Sequence, residues 1–196
     1  MSVVKFWSFL VLLLVAQSSP GKSATQSPNG KYSAVQKKGE LEYRWLEIKR
    51  DGKSLFQAQS GYGGYTVMSW APDSRYLAVV EHGTKTTMSL SVYFIDGDEV
   101  TAVGLPDFRL NILGRHRLIK GGRYQFDNSL CWKEGGGLHF MTSGSLREGV
   151  SNPTDEPENW YHYEVGIKFT RDRGTLAIVQ PSVANEKPWE KVSDPK

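Results

Sequence analysis

Ser27-Pro28-Asn29-Gly30-Lys31-Tyr32-Ser33-Ala34-Val35 and Ala71-Pro72-Asp73-Ser74-Arg75-Tyr76-Leu77-Ala78-Val79 are two copies of one pattern, and their agreement decides the fold. They stand 44 residues apart (Ser27 to Ala71), a spacing typical of stacked four-stranded sheet repeats. In each copy proline presets a turn, Asn-Gly or Asp-Ser closes it, and an aromatic-aliphatic run enters a strand. The continuation matches as well. Tyr43-Arg44-Trp45-Leu46-Glu47-Ile48 runs on to Asp51-Gly52, and Leu90-Ser91-Val92-Tyr93-Phe94-Ile95 runs on to Asp96-Gly97. The repeating unit is therefore a hairpin. Repetition of this kind specifies an architecture and leaves function open.

Working outward, the first unit spans 27–64 and the second 65–105. Leu90, Val92 and Phe94 share one strand face, while Tyr93 and Ile95 on the other are also apolar. A strand apolar on both faces is expected between two neighbouring sheets. Trp70 is expected to pack beneath its own turn. A more degenerate third unit covers 129–180. Ser129-Leu130-Cys131-Trp132 parallels Val67-Met68-Ser69-Trp70, Gly135-Gly136-Gly137 replaces the Pro-Asp-Ser turn, and Leu138-His139-Phe140 takes the place of Leu77-Ala78-Val79. Its partner strand is Tyr161 to Phe169, with Tyr163, Val165, Ile167 and Phe169 on one face.

Two insertions interrupt the spacing. Over 106–128, Phe108, Ile112, Arg115 and Ile119 fall at helical intervals, and Pro106 suits a first turn, which predicts a short helix over 107–119. This helix is expected to cover an exposed sheet edge. The segment Arg147 to Asn159 is polar, with two prolines, and reads as a loop. The tail 181–196 is polar and reads as disordered. At the other end, Lys5 followed by the apolar run Phe6 to Ala16 and small residues through Ser18 reads as a signal peptide over 1–18, with a polar lead-in over 19–26. The apolar run is shorter than the roughly 20 residues of a membrane span. The expectation is an exported protein, periplasmic or extracellular, with no stable membrane insertion once the leader is removed.

The 24 basic and 21 acidic residues nearly balance, so composition supplies no general drive towards nucleic acid. A single cysteine excludes an intrachain disulfide. Cys131, between Leu130 and Trp132, is expected to be a buried, inert thiol.

The run Trp70-Ala71-Pro72-Asp73-Ser74-Arg75-Tyr76-Leu77-Ala78-Val79 resembles the hairpin core of TolB-type, WD-like β-propeller repeats, and Ser27 to Val35 is a second match. This resemblance implies an all-β fold of about three propeller-blade-like antiparallel sheets with one short inserted helix. Closed propellers have at least four blades. Three units leave an open stack, a hidden fourth blade, or completion by a second chain. The resemblance is specific for the blade and says almost nothing about activity.

No motif carries chemistry. The Gly61-Tyr62-Gly63-Gly64-Tyr65 cluster lacks the lysine and helix of a phosphate loop and reads as an inter-blade turn. Asp96-Gly97-Asp98-Glu99 lacks the later ligands of a calcium loop and reads as a hairpin turn. His82, His116, His139 and His162 stand singly, without metal-site spacing, and no serine elbow is present. No cofactor or metal is expected. The ligand-contact candidates are Tyr62 and Tyr65, beside the blade mouth. Arg109, Arg115, Arg117, Lys120 and Arg123 form a basic run without an intervening acid, a docking candidate for an acidic protein partner. The leading expectation is a non-enzymatic protein-interaction module. The alternatives are a small hydrolase with carboxylates at the blade mouth and a carbohydrate- or peptide-binding module.

Overall fold

Six segments are described in the computed structural model: 24–38, 44–59, 64–84, 87–107, 125–145 and 160–181. They form three four-stranded antiparallel sheets. The first holds β1 (Ala24–Gln26), β2 (Tyr32–Lys38), β3 (Arg44–Arg50) and β4 (Lys53–Gln59). The second holds β5 (Gly64–Trp70), β6 (Tyr76–Thr84), β7 (Thr87–Asp96) and β8 (Glu99–Ala102). The third holds β9 (Gln125–Trp132), β10 (Leu138–Ser145), β11 (Trp160–Thr170) and β12 (Arg173–Pro181). One parallel pair, Thr87 with Gln125, links the second and third sheets, and none closes into a barrel. No helix occurs among the described residues. The helix expected over 107–119 lies outside them from residue 108 onward, and Asp107 is irregular. β1 falls within the stretch read as a lead-in, and β9 begins inside the stretch read as an insertion.

The repeat holds residue by residue. Thr25 pairs Ala34 and Ala34 pairs Ile48; Ser69 pairs Ala78 and Ala78 pairs Val92. The turns share their hydrogen bonds. Gly30 N–H donates to the Ser27 carbonyl and Ser27 N–H to the Tyr32 carbonyl; Ser74 N–H donates to Ala71 and Ala71 N–H to Tyr76. In the third sheet Gly136 donates to Lys133 and Lys133 to Gly137, in a loop one residue shorter. The residue after each tight turn is left-handed: Gly30 at φ 72°, Ser74 at 62° and Gly136 at 80°. Two of the three are glycine, which adopts that region without a Cβ clash. Ser74 is the exception. It is buried, and its hydroxyl accepts from Asn29 N–H at 3.0 Å, tying the turn of one sheet to the next.

Alternation then builds two cores. Tyr32, Ala34, Leu46 and Ile48 pack on Trp70, Leu77, Val79, Tyr93 and Ile95 between the first and second sheets. The opposite face of the second sheet carries Tyr76, Ala78, Leu90, Val92 and Phe94, which pack on Leu138, Phe140, Tyr163, Val165 and Ile167 of the third. The middle sheet is thus apolar on both faces, as its sequence requires. The Trp70 indole stacks on Tyr32 of the preceding sheet, centroids 6.2 Å apart. Tyr76 and Trp132 repeat that pairing one sheet later at 6.1 Å. Each junction therefore joins a tyrosine that opens the second strand of one sheet to a tryptophan that ends the first strand of the next.

Candidate functional site

The meander sends the turns 27–31, 51–52, 71–75, 97–98, 133–137 and 171–172 to one end of the stack. That end is cross-tied. The Tyr32 hydroxyl donates to the Gly97 carbonyl at 3.1 Å, Arg50 meets Asp98 at 2.9 Å, and Gly104 exchanges backbone hydrogen bonds with Asp172 and Gly174 at 2.9 Å each. The last residues of β2, β4, β6 and β10 and the first residues of β3, β5, β7, β9 and β11 lie at the other end. Gly64 opens β5 there with φ 77°, and a Cβ on it would overlap the Arg44 and Gln36 side chains. The last glycine of the Gly61–Gly64 cluster thus permits a close approach between the first two sheets.

The sequence-derived candidates fall largely beyond this view. Tyr62 and the basic residues Arg109, Arg115, Arg117, Lys120 and Arg123 lie outside the described residues. Tyr65 pairs Glu81 within β5, and its side chain is outside the described set.

What the sequence did not reveal is how the stack ends. The face of the first and second sheets that meets the next sheet carries Ala34 and Ala78, Ile48 and Val92, Leu46 and Leu90 at equivalent positions. On the third sheet those positions hold His139, Gly166 and Glu164. His139 Nδ1 lies 2.6 Å from Glu164 Oε1, and the ring rests on Gly166, where a Cβ would stand 3.1 Å from Nε2. The glycine makes room for the imidazole, and the carboxylate orients it. The Tyr32/Tyr76 position is Gly137. The first sheet shows the mirror change on its own free face: Ser33 replaces Leu77 and Leu138, Lys49 replaces Tyr93 and Ile167, and Gln26 replaces Trp70 and Trp132. Polar outer faces are what terminal repeats of a stack require. Both ends lack the tyrosine-tryptophan junction, so neither offers a fourth sheet the contact that the inner sheets use.

This arrangement corrects the reading of Cys131. It is exposed, on the outer face of the third sheet, because alternation sends Leu130 and Trp132 inward and no further sheet among the described residues lies over the thiol. His162 shares that face of β11 and is half-buried, which pulls its pKa below the ordinary histidine value. Asp51 and Asp98 share Arg50 at the turn end, at 3.6 and 2.9 Å, while the carboxylates on the sheet faces stand apart. Asp127 is buried facing the second sheet and accepts from Thr142 at 2.7 Å, Glu164 faces outward on the third, and Glu47 lies on the free face of the first.

Glu47 is nearly covered, with Lys37 Nζ at 2.6 Å, Lys49 Nζ at 3.1 Å and Gln57 donating at 3.2 Å. Lys37 above all, helped by Lys49, Ser54 and Gln57, outweighs the effect of desolvation and holds its pKa at about 2. Among the described residues no group of histidine, cysteine and carboxylate side chains is arranged to hold a metal ion. Scanned against protein-family models the chain matches none, and a search of curated proteins likewise returns no match.

Proposed function

We propose that the chain is an exported, non-enzymatic interaction module, a three-blade β stack that presents one end to an acidic protein partner. The observation that carries this reading is the difference between the two ends of the stack. Cross-tied turns brace one end, and strand termini of all three sheets lie at the other, the layout of a rigid scaffold with one end open to binding. In sequence the basic run Arg109 to Arg123 precedes β9, and Tyr62 stands between β4 and β5. The TolB-type resemblance and the leader-like Lys5 to Ser18 support an envelope or extracellular setting.

The test is partner capture by cross-linking in the native envelope. Arg109→Gln, Arg117→Gln and Arg123→Gln together should abolish salt-sensitive capture, while Arg75→Gln at the turn end leaves it intact. Unchanged capture by the triple variant refutes the reading. Intact mass of the exported protein should begin after Ser18. A hydrolase is the second reading, favoured by the His139–Glu164 pair. It requires that His139→Gln remove an esterase activity measurable in the purified protein.

A further inference from the structure

Termination of the stack explains most of the free face of the first sheet, but not its tryptophan. Ser33, Lys49 and Gln26 are polar where the other sheets are apolar, as a face turned to water requires. Trp45 on the same face is the one large hydrophobic residue exposed among those described, at 37%. It stands in a row that crosses three strands, Lys37 on β2, Trp45 on β3 and Gln59 on β4. The adjacent row is Val35, Glu47 and Gln57. Lys37, Gln57 and Gln59 are exposed, so the face is open.

From this combination we propose that the free face of the first sheet is a glycan-binding platform, which stacks a β-linked pyranose on the indole of Trp45. A β-linked glucopyranose carries its hydroxyls equatorially and its C–H bonds axially, so each ring has an apolar face that an indole can accept. Its rim needs planar or charged hydrogen-bonding groups at either side. Lys37 and Gln59 flank the indole in its own row, and Gln57 follows in the next. With strands about 4.8 Å apart and alternate residues about 6.7 Å apart, these two rows cover about 10 by 7 Å, the footprint of a disaccharide.

The polar groups are also preset. Glu47 is ionised and gripped by Lys37 and Lys49, and Gln57 is held by Glu47. Side chains ordered before binding lose less freedom when a ligand arrives. This surface lies on a sheet face beside the end opposite the cross-tied turns, where β2 finishes at Lys38 and β4 at Gln59, and does not require a protein partner there.

The test uses the purified protein and three insoluble polysaccharides of β-linked pyranoses: cellulose, chitin and cell-wall sacculi. The fraction retained is measured against concentration. The wild type should be retained by at least one of them. Trp45→Ala should weaken retention at least tenfold, Trp45→Tyr should restore most of it, and Gln59→Ala should weaken it severalfold. Trp45 is exposed, so these variants keep the fold, which thermal unfolding verifies. Arg109→Gln with Arg117→Gln and Arg123→Gln should bind glycan as the wild type does, which separates this site from the partner-docking end. Failure of the wild type to bind all three polysaccharides, or full retention of Trp45→Ala, overturns the proposal. Loss of a protein contact in Trp45→Ala, without glycan retention by the wild type, would reassign the face to protein binding and overturn it equally.

Discussion

Ser74 sets two effects against each other at one atom. It is held at φ 62°, in the left-handed region, and its hydroxyl ties the second sheet to Asn29 of the first at 3.0 Å. For an L-residue the left-handed conformation costs about 1–2 kcal/mol. Glycine escapes most of that but gains freedom in the unfolded chain, which takes back about 0.4–1 kcal/mol. A hydrogen bond of this type contributes about 0.5–1.5 kcal/mol net. Ser74→Ala keeps the strain and loses the bond, so it should destabilise by about 1 kcal/mol, or about 2–4 °C in Tm for a domain of this size. Ser74→Gly loses the bond but sheds strain, and should fall within about 0.5 kcal/mol of wild type. Gly30→Ala reads the strain without any hydroxyl. A Cβ there meets only Gln26 Nε2, at an ordinary 3.7 Å, so its loss should equal the difference between the two Ser74 variants. Urea unfolding of the three variants decides the matter. Equal destabilisation by Ser74→Ala and Ser74→Gly, with Gly30→Ala neutral, would refute the account of the turn; a neutral Ser74→Ala would show that the bond between sheets contributes nothing.

Tyr76→Ala should destabilise by about 3–5 kcal/mol in the same assay, because its ring is buried against Phe94, Trp132 and Phe169 and no neighbour fills the space. Glu47 has a folded pKa of about 2, lowered from 4.5, so its contribution is complete above pH 4.5 and is lost as pH falls towards 2. Allowing for screening around the half-exposed Lys37, Glu47→Gln should lower stability by about 1–2 kcal/mol at pH 7, with the gap to wild type closing near pH 2; thermal melts across that range check it. Restoring the repeat residues on the third sheet, with His139→Ala, Glu164→Leu and Gly166→Val, should turn a polar end into an apolar docking face. Sedimentation should then show concentration-dependent self-association that the wild type lacks at the same concentration.

Much of the fold was legible in the chain because its determinants are local. A turn of proline, a short polar pair and a left-handed position, followed by an alternating strand, recurs at a fixed interval, and each part depends on residues within a few positions of one another. The double-sided apolar strand Leu90 to Ile95 likewise announced a sheet covered on both faces. Where the stack stops was not legible. Alternation shows which residues share a face, but not whether another sheet lies over it. Cys131, flanked by Leu130 and Trp132, therefore looked buried and proved exposed. The same limit hid the partner of Trp70, which lies 38 positions back at Tyr32. It also hid the His139–Glu164 pair, whose members are 25 residues apart and meet only through the register of β10 on β11. Local turn chemistry and strand periodicity were enough to define the repeating unit. The faces it leaves free, and the side chains that gather on them, were decided by pairing and stacking between residues remote in the chain.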